Sequence, residues 1–155
     1  MRMVLQRVSR AAVSVGGEEV SRIGSGYLLL VGVEEGDDAE AVRRMTSKVA
    51  SLRLFPGDEC RAFDRSLADA GGAVLVVSQS TLMGDVRRGN RPSWAAAAAP
   101  DAAEPLVEEV GSHLEALGIE VARGVFGAMM EVSLVNDGPV TLVLDSRDVL
   151  GPRRG

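Results

Sequence analysis

Ser78, Gln79, Ser80 and Thr81 stand side by side where an apolar run ends, inside the stretch "LVVSQSTLMG" (75–84). Three hydroxyls, a carboxamide and their backbone N–H groups can together cradle a carbonyl oxygen as it gains negative charge. Each well-placed donor of that kind is worth roughly 10²–10³ in rate. The same four residues also read as polar groups that close a sheet and satisfy loop backbone. A second stretch, "LVNDGPVTLVL" (134–144), sets Asn136, Asp137, Gly138 and Pro139 between two apolar segments. Locally it is a hairpin turn. The alternative is that Gly138 and Pro139 present backbone carbonyls to a ligand, because glycine admits close approach and proline stiffens the chain. A cis Gly–Pro bond would turn successive carbonyls to one side, although only ~5–6% of X–Pro bonds are cis.

The usual machinery of hydrolysis is missing around these residues. The single histidine, His113, falls within a helical pattern beside its apolar stripe, where a structural or surface role fits. The single cysteine, Cys60, permits no internal disulfide, which suits a reducing cytosol. With no second cysteine or histidine nearby it makes no zinc site. The acidic run "EEGDDAE" (34–40) precedes a helix, where carboxylates favour the positive end of the dipole. Neither a phosphate loop nor a dinucleotide fingerprint is present. No metal and no cofactor is expected.

A net charge of −5 over 155 residues disfavours indiscriminate nucleic-acid binding, which depends on Lys and Arg neutralising phosphates. Local basic clusters exist even so: "DVRRGNRPSW" holds Arg87, Arg88 and Arg91, and Arg147, Arg153 and Arg154 gather near the end. Taken alone they read as solvated surface. No apolar run approaches the ~20 residues that span a bilayer, and the first residues lack the apolar core of a signal peptide. A cytoplasmic protein with no membrane contact is expected.

The elements that would position these groups are strands with two main helices. Residues 3–15 and 18–23 read as strands joined by Gly16-Gly17. "GYLLLVGV" (26–33) and "AVLVVS" (73–78) read as strands, the first covered on both faces. Val42, Met45, Val49 and Leu52 mark one face of a helix from Asp38. Leu106, Val107, Val110, Leu114 and Leu117 mark a second, with Asp101 as its cap and Gly118 as its terminator. Strands at 129–135 and 140–144 flank "NDGP". The order predicts an α+β fold, with mixed or antiparallel sheets in a layered or barrel-like arrangement. Residues 1–145 form one domain, and 146–155 a flexible C-terminal tail.

Together, "LQRVSRAAVSV", "GGAVLVVSQSTL", "RRGNRPSW" and "GVFGAMMEVSLVNDGPVTLVL" resemble the D-aminoacyl-tRNA deacylases of the bacterial and eukaryotic type. The likeness covers nearly everything up to about residue 145. It implies a homodimer that hydrolyses the ester of D-aminoacyl-tRNA, or of glycine mischarged on an alanine tRNA, and releases free amino acid and tRNA. That is chiral proofreading in translation, with L-esters rejected and no metal or cofactor. The resemblance maps the catalytic element onto Ser78, Gln79, Ser80 and Thr81, and substrate binding onto Gly138, Pro139, Arg7 and Met130. Gly138-Pro139, as a cis dipeptide braced by Arg7, would complete the site of the other subunit. Ser80 stands where the family usually has phenylalanine; a backbone N–H survives that change and an aromatic contact is lost.

An aminoacyl ester is an activated bond with a free ribose hydroxyl beside it, so substrate-assisted attack by water ranks ahead of Thr81 as a nucleophile. A non-catalytic, nucleic-acid-associated binding protein of the same fold is the alternative.

Overall fold

The computed structural model describes residues 1–152, so Arg153 and Arg154 lie outside it. The chain opens with β1 (Arg2–Val15), which turns at Gly16-Gly17 into β2 (Glu18–Ile23) and continues to β3 (Gly26–Gly32). α1 (Ala39–Ser51) follows; the Asp38 carboxylate accepts the Ala41 N–H at 2.9 Å and caps it. β4 (Arg53–Phe55) and β5 (Arg65–Ser66) form a small separate sheet. β6 (Ala73–Ser78) leads into a 3-10 turn at Ser80–Met83. α2 (Pro100–Ala116), β7 (Glu120–Arg123), β8 (Met130–Asp145) and the one-turn α3 (Ser146–Val149) complete the order. The fold is α+β with two main helices and a mixed sheet, as expected. Among the described residues no helix is long and apolar enough to cross a membrane.

Sheet topology explains why the middle of the chain is so apolar. β3 and β6 pair in parallel, as do β6 and β7. The first half of β1 pairs antiparallel with β3 and its second half with β2, while β8 accompanies β1 from Arg2 to Val15. Tyr27, Leu29, Val31, Val74 and Val76 face one side, where Val42, Met45 and Val49 of α1 and Val110 and Leu114 of α2 cover them. Leu28, Leu75 and Val77 face the other, under Val8, Val13, Val132 and Leu134 from the long β1–β8 ribbon. Covered on both faces, β3 and β6 carry unbroken apolar runs rather than alternation. Each fully buried Leu or Val is worth roughly 1.5–3 kcal/mol.

Three expectations are corrected. Residues 129–135 and 140–144 are not the arms of a hairpin. Both pair with β1, so they are one strand with an interruption. Asp101 does not cap α2: the cap position is Ala99, Pro100 opens the helix where its missing N–H has no partner to lose, and Asp101 sits in the first turn. Leu117, expected in the apolar stripe, is exposed. As for the expected tail, residues 146–149 form α3, capped by Asp145, and Val149 and Leu150 pack against the core. Its remaining arginines, Arg153 and Arg154, fall outside the described residues.

Tyr27 sits at the centre of the helix-side core, fully buried and stacked on Phe55 with ring centroids 5.3 Å apart. Its hydroxyl has no hydrogen-bond partner among the described residues, and burial pushes its pKa above the ordinary phenol range. Removing an unpartnered buried hydroxyl relieves a desolvation cost of about 1–3 kcal/mol. Tyr27→Phe is therefore expected to leave stability unchanged or raise it by about 1 kcal/mol. A clear loss in urea unfolding would contradict this packing.

Candidate active site

The cleft forms where the parallel strands run out. β6 ends at Ser78, and the Gln79 N–H extends the ladder by one bond to the Val31 carbonyl, at 2.8 Å. The chain then curls: the Leu82 N–H bonds to Gln79 O at 3.2 Å and the Gly84 N–H to Thr81 O at 3.0 Å. The curl fits only because β3 ends in glycine. A Cβ on Gly32 would lie 2.9 Å from Leu82 Cβ and 3.0 Å from Gln79 O. The N–H groups of Ser80 and Thr81 meet no acceptor among the described residues, as expected for the first donors of a helical turn.

Beside this turn lies a cleft of about 530 Å³. Ser78, Gln79, Ser80 and Thr81 form its polar end. Ala98, Ala103, Val107 and Phe126 give an apolar wall, and Met129 and Met130 close another side. The Val125 N–H points at Met130 Sδ, 3.4 Å away. The Gln79 carboxamide donates to Thr81 Oγ1. Not one residue lining the cleft is titratable. Gln79 is no base in either orientation of its amide, so none of the residues lining the cleft can take a proton from Thr81.

The second motif sits on β8, away from this lining. Gln6 pairs with Thr141 and Val8 with Asn136, so Asp137–Val140 loops out opposite Arg7 alone. The Gly138–Pro139 bond is cis. Asp137, Gly138 and Pro139 are exposed, whereas Arg7 is 8% exposed beneath them. Arg7 Nε donates to Asp137 O at 3.0 Å and Nη1 to Leu54 O at 2.5 Å. Asn136 ties the base of the loop, with Oδ1 accepting the Val140 N–H at 3.1 Å and Nδ2 donating to Thr141 Oγ1 at 2.9 Å. Gly138 holds φ +133°, and a Cβ there would lie 2.9 Å from Arg7 Nη2.

One chain thus brings together Ser78, Gln79, Ser80, Thr81 and Met130. Arg7, Gly138 and Pro139 form a separate cluster that does not line the same chain's cleft. His113 borders a different hollow with Arg43 and Lys48, and Cys60 is exposed on a loop. Among the described residues no group of three or more His, Cys, Asp or Glu side chains is placed to hold a metal.

A sequence model of the family described as D-Tyr-tRNA(Tyr) deacylase matches residues 4–145. The chain belongs to this family. A D-aminoacyl-tRNA deacylase of Thermomicrobium roseum is 56% identical over 151 residues, 97% of each chain. One of Chloroflexus aurantiacus is 54% identical, covering 99% of this chain and 96% of the relative. Among solved structures, a c-Myc DNA unwinding element binding protein superposes with TM-score 0.87 at 36% identity, over 94% of this chain and 98% of the other. A probable eukaryotic D-amino acid tRNA deacylase, at TM-score 0.79 and 18% identity over 92% and 97% of the two chains, shares the fold.

Sequence reasoning missed Phe126, Met129 and the α2 residues Ala103 and Val107, which look like plain core or loop in the sequence. It also gave Asn136 no role beyond turn formation. The signal was available there: an amide four residues before a valine N–H, next to a dipeptide that breaks a strand.

Arg7→Ala would strand two carbonyls and loosen the projecting loop. The expected loss is on the order of 1–3 kcal/mol in urea unfolding, with much faster hydrogen exchange at the Val140 amide. Unchanged protection at Val140 would show that Arg7 does not hold the loop.

Proposed function

We propose that this chain hydrolyses the ester of D-aminoacyl-tRNA in the cytoplasm, using the cleft at Ser78–Thr81. The observation that carries the reading is a cleft with hydrogen-bond donors at one end, an apolar wall and no titratable side chain. Chemistry without a protein acid or base requires a substrate that is already activated. An aminoacyl ester is activated, and its ribose keeps a free hydroxyl beside the reacting carbonyl. The terminal adenine lies against Ala98, Val107 and Phe126, which sets the ester among the Ser80 and Thr81 N–H groups. Water adds to the carbonyl carbon, the oxyanion rests on those donors, and the C–O bond to the ribose breaks. The neighbouring ribose hydroxyl relays the proton lost by the attacking water to the departing ribose oxygen, leaving free D-amino acid and tRNA.

Selection between mirror-image esters needs a rigid wall, because both hands carry the same groups. The second part of the reading is that two copies pair, so that Gly138-Pro139 of one enters the cleft of its partner. Three features support this. The dipeptide is exposed and firmly braced, its own cleft lacks it, and Met129 at that cleft is 92% exposed. β8 also carries exposed Val135 and Val143 and pairs on one side only, with β1. The carbonyls of Gly138 and Pro139 then grip the substrate ammonium and close the space an L side chain would need. A D side chain points outward. Glycine has none to clash, so glycyl esters, including those on alanine tRNA, are accepted.

A DNA-associated role without catalysis is favoured by the name of one solved relative, and the same assay separates the two. Purified protein with a chelator present should release amino acid from D-tyrosyl-tRNA and spare L-tyrosyl-tRNA. Its pH profile should show no ionisation of an enzyme group between about pH 6 and 9. Thr81→Ala should keep appreciable activity, whereas complete loss with substrate still bound would make Thr81 the nucleophile.

The shared site has its own test. A cleft variant, Ser80→Pro, which removes one of the two N–H donors at the first position of the turn, mixed with a loop variant, Pro139→Ala, should regain activity beyond the sum of the two. Each mixed dimer then holds one intact cleft facing one intact loop. No gain on mixing would place both halves of the site in one chain.

A further inference from the structure

The hairpin between Asp85 and Ser93 carries charge that the ester chemistry does not use. These two residues exchange backbone bonds, Asp85 N–H to Ser93 O at 2.8 Å and Ser93 N–H to Asp85 O at 2.9 Å. Residues 86–92 between them are all exposed. Both stems run into the cleft. On one side Gly84 bonds to the Thr81 carbonyl. On the other the Ala97 N–H bonds to Trp94 O at 3.0 Å, and Ala98, tied to Val33 O at 3.0 Å, lines the apolar wall. A Cβ on Gly84 would lie 2.8 Å from Trp94 Cζ3, so the indole packs on bare backbone and locks the stems together.

Of the three arginines here, one is already neutralised. Arg87 Nε lies 2.9 Å from Asp85 Oδ1 and Nη2 2.5 Å from Oδ2, and these hydrogen bonds hold the Asp85 pKa down at about 2. No carboxylate among the described residues lies within ion-pair distance of Arg88 or Arg91. On a chain with 22 acidic and 17 basic residues, two uncompensated cations on a braced loop reverse the local sign of the surface. The pairing of Arg87 also fixes the loop's shape, so its neighbours are displayed from a set position.

We infer that Arg88 and Arg91 hold the phosphate backbone of the unpaired tRNA 3′ end, just behind the esterified nucleotide. The inference rests on the deacylase reading and extends it. With the adenosine ester in the cleft, the preceding phosphates leave toward the hairpin, whose two stems join the lining at Thr81 and Ala98. Contacts to phosphate position the strand and read no bases, so one loop serves many tRNAs.

The test compares D-tyrosyl-tRNA with D-tyrosyl-adenosine, which has the ester and no phosphate. In Arg88→Ala/Arg91→Ala the ratio of kcat/KM between the two substrates should fall roughly tenfold at low salt, mostly through KM. The log–log salt slope for the tRNA substrate should flatten by about 1.4, two phosphates at ~0.7 each on a single strand. Arg88→Lys/Arg91→Lys should keep most of the preference. Binding of uncharged tRNA, followed by emission of Trp94, the only tryptophan, should weaken in step. An unchanged ratio and slope would overturn the inference, as would equal loss on both substrates, which marks a structural role. If the wild type cleaves neither ester, the deacylase reading fails. Arginine-dependent tRNA binding would then still uphold this contact, and its absence would end it.

Discussion

The structure depends on one ladder, the pairing of β1 with β8 from Arg2–Asp145 to Val15–Met130, broken only near its middle. A pair of strands this long tolerates an extrusion because pairing resumes on either side. The cost falls on the extruded residues alone, and side chains take over part of it. Arg7 accepts the role of a missing partner strand for Asp137 O, and Asn136 does the same for the Val140 N–H. The result is a loop that stands out from the sheet yet is tied at both feet. A group that must discriminate by shape has to be rigid before its ligand arrives, since ordering it on binding would consume the selectivity.

The same ladder builds the cleft from behind. Its second half folds across the parallel strands, burying Leu75 and Val77 under Val13 and Val132. With α1 and α2 on the opposite face, β3 and β6 cannot shift, so the point where β6 surfaces at Ser78 is fixed by packing on two sides. The ends of β3, β6 and β7 meet there, and Val31, Ser78 and the Phe126 segment after β7 all line the opening. Open parallel sheets commonly place ligands at the carboxyl ends of their strands. Here three parallel strand ends open on a cleft inside a sheet that is otherwise antiparallel.

Much of this was legible in the sequence, and what was not has a physical reason. Strands and helices followed from period and from glycine and proline punctuation, because burial on one face or two leaves a plain pattern. "NDGP" misled at the level of topology: turn chemistry is local and looks the same whether the chain reverses or merely bulges. Only the register against β1, a partner more than a hundred residues away in sequence, separates the two. Asp101 misled because Pro100 already opens α2, leaving the carboxylate two positions too late to cap. Phe126 and Val107 were invisible as cleft residues since an apolar wall uses the same side chains as a core. At the start of the expected tail, Val149 and Leu150 are two apolar residues that suffice to dock a single turn of helix.

Position 80 shows which parts of the turn are independent of its side chain. This chain has an exposed serine there, and the turn, the N–H groups of Ser80 and Thr81 and the contact of Gln79 with Thr81 are all in place. The turn is set by Gly32 beneath it and by the Gln79 bond to Val31, neither of which involves the side chain at 80. On the reading proposed above, the constraint falls on glycines, on strand ends and on one buried arginine. Those positions look structural, and a search for nucleophile and base would pass over them.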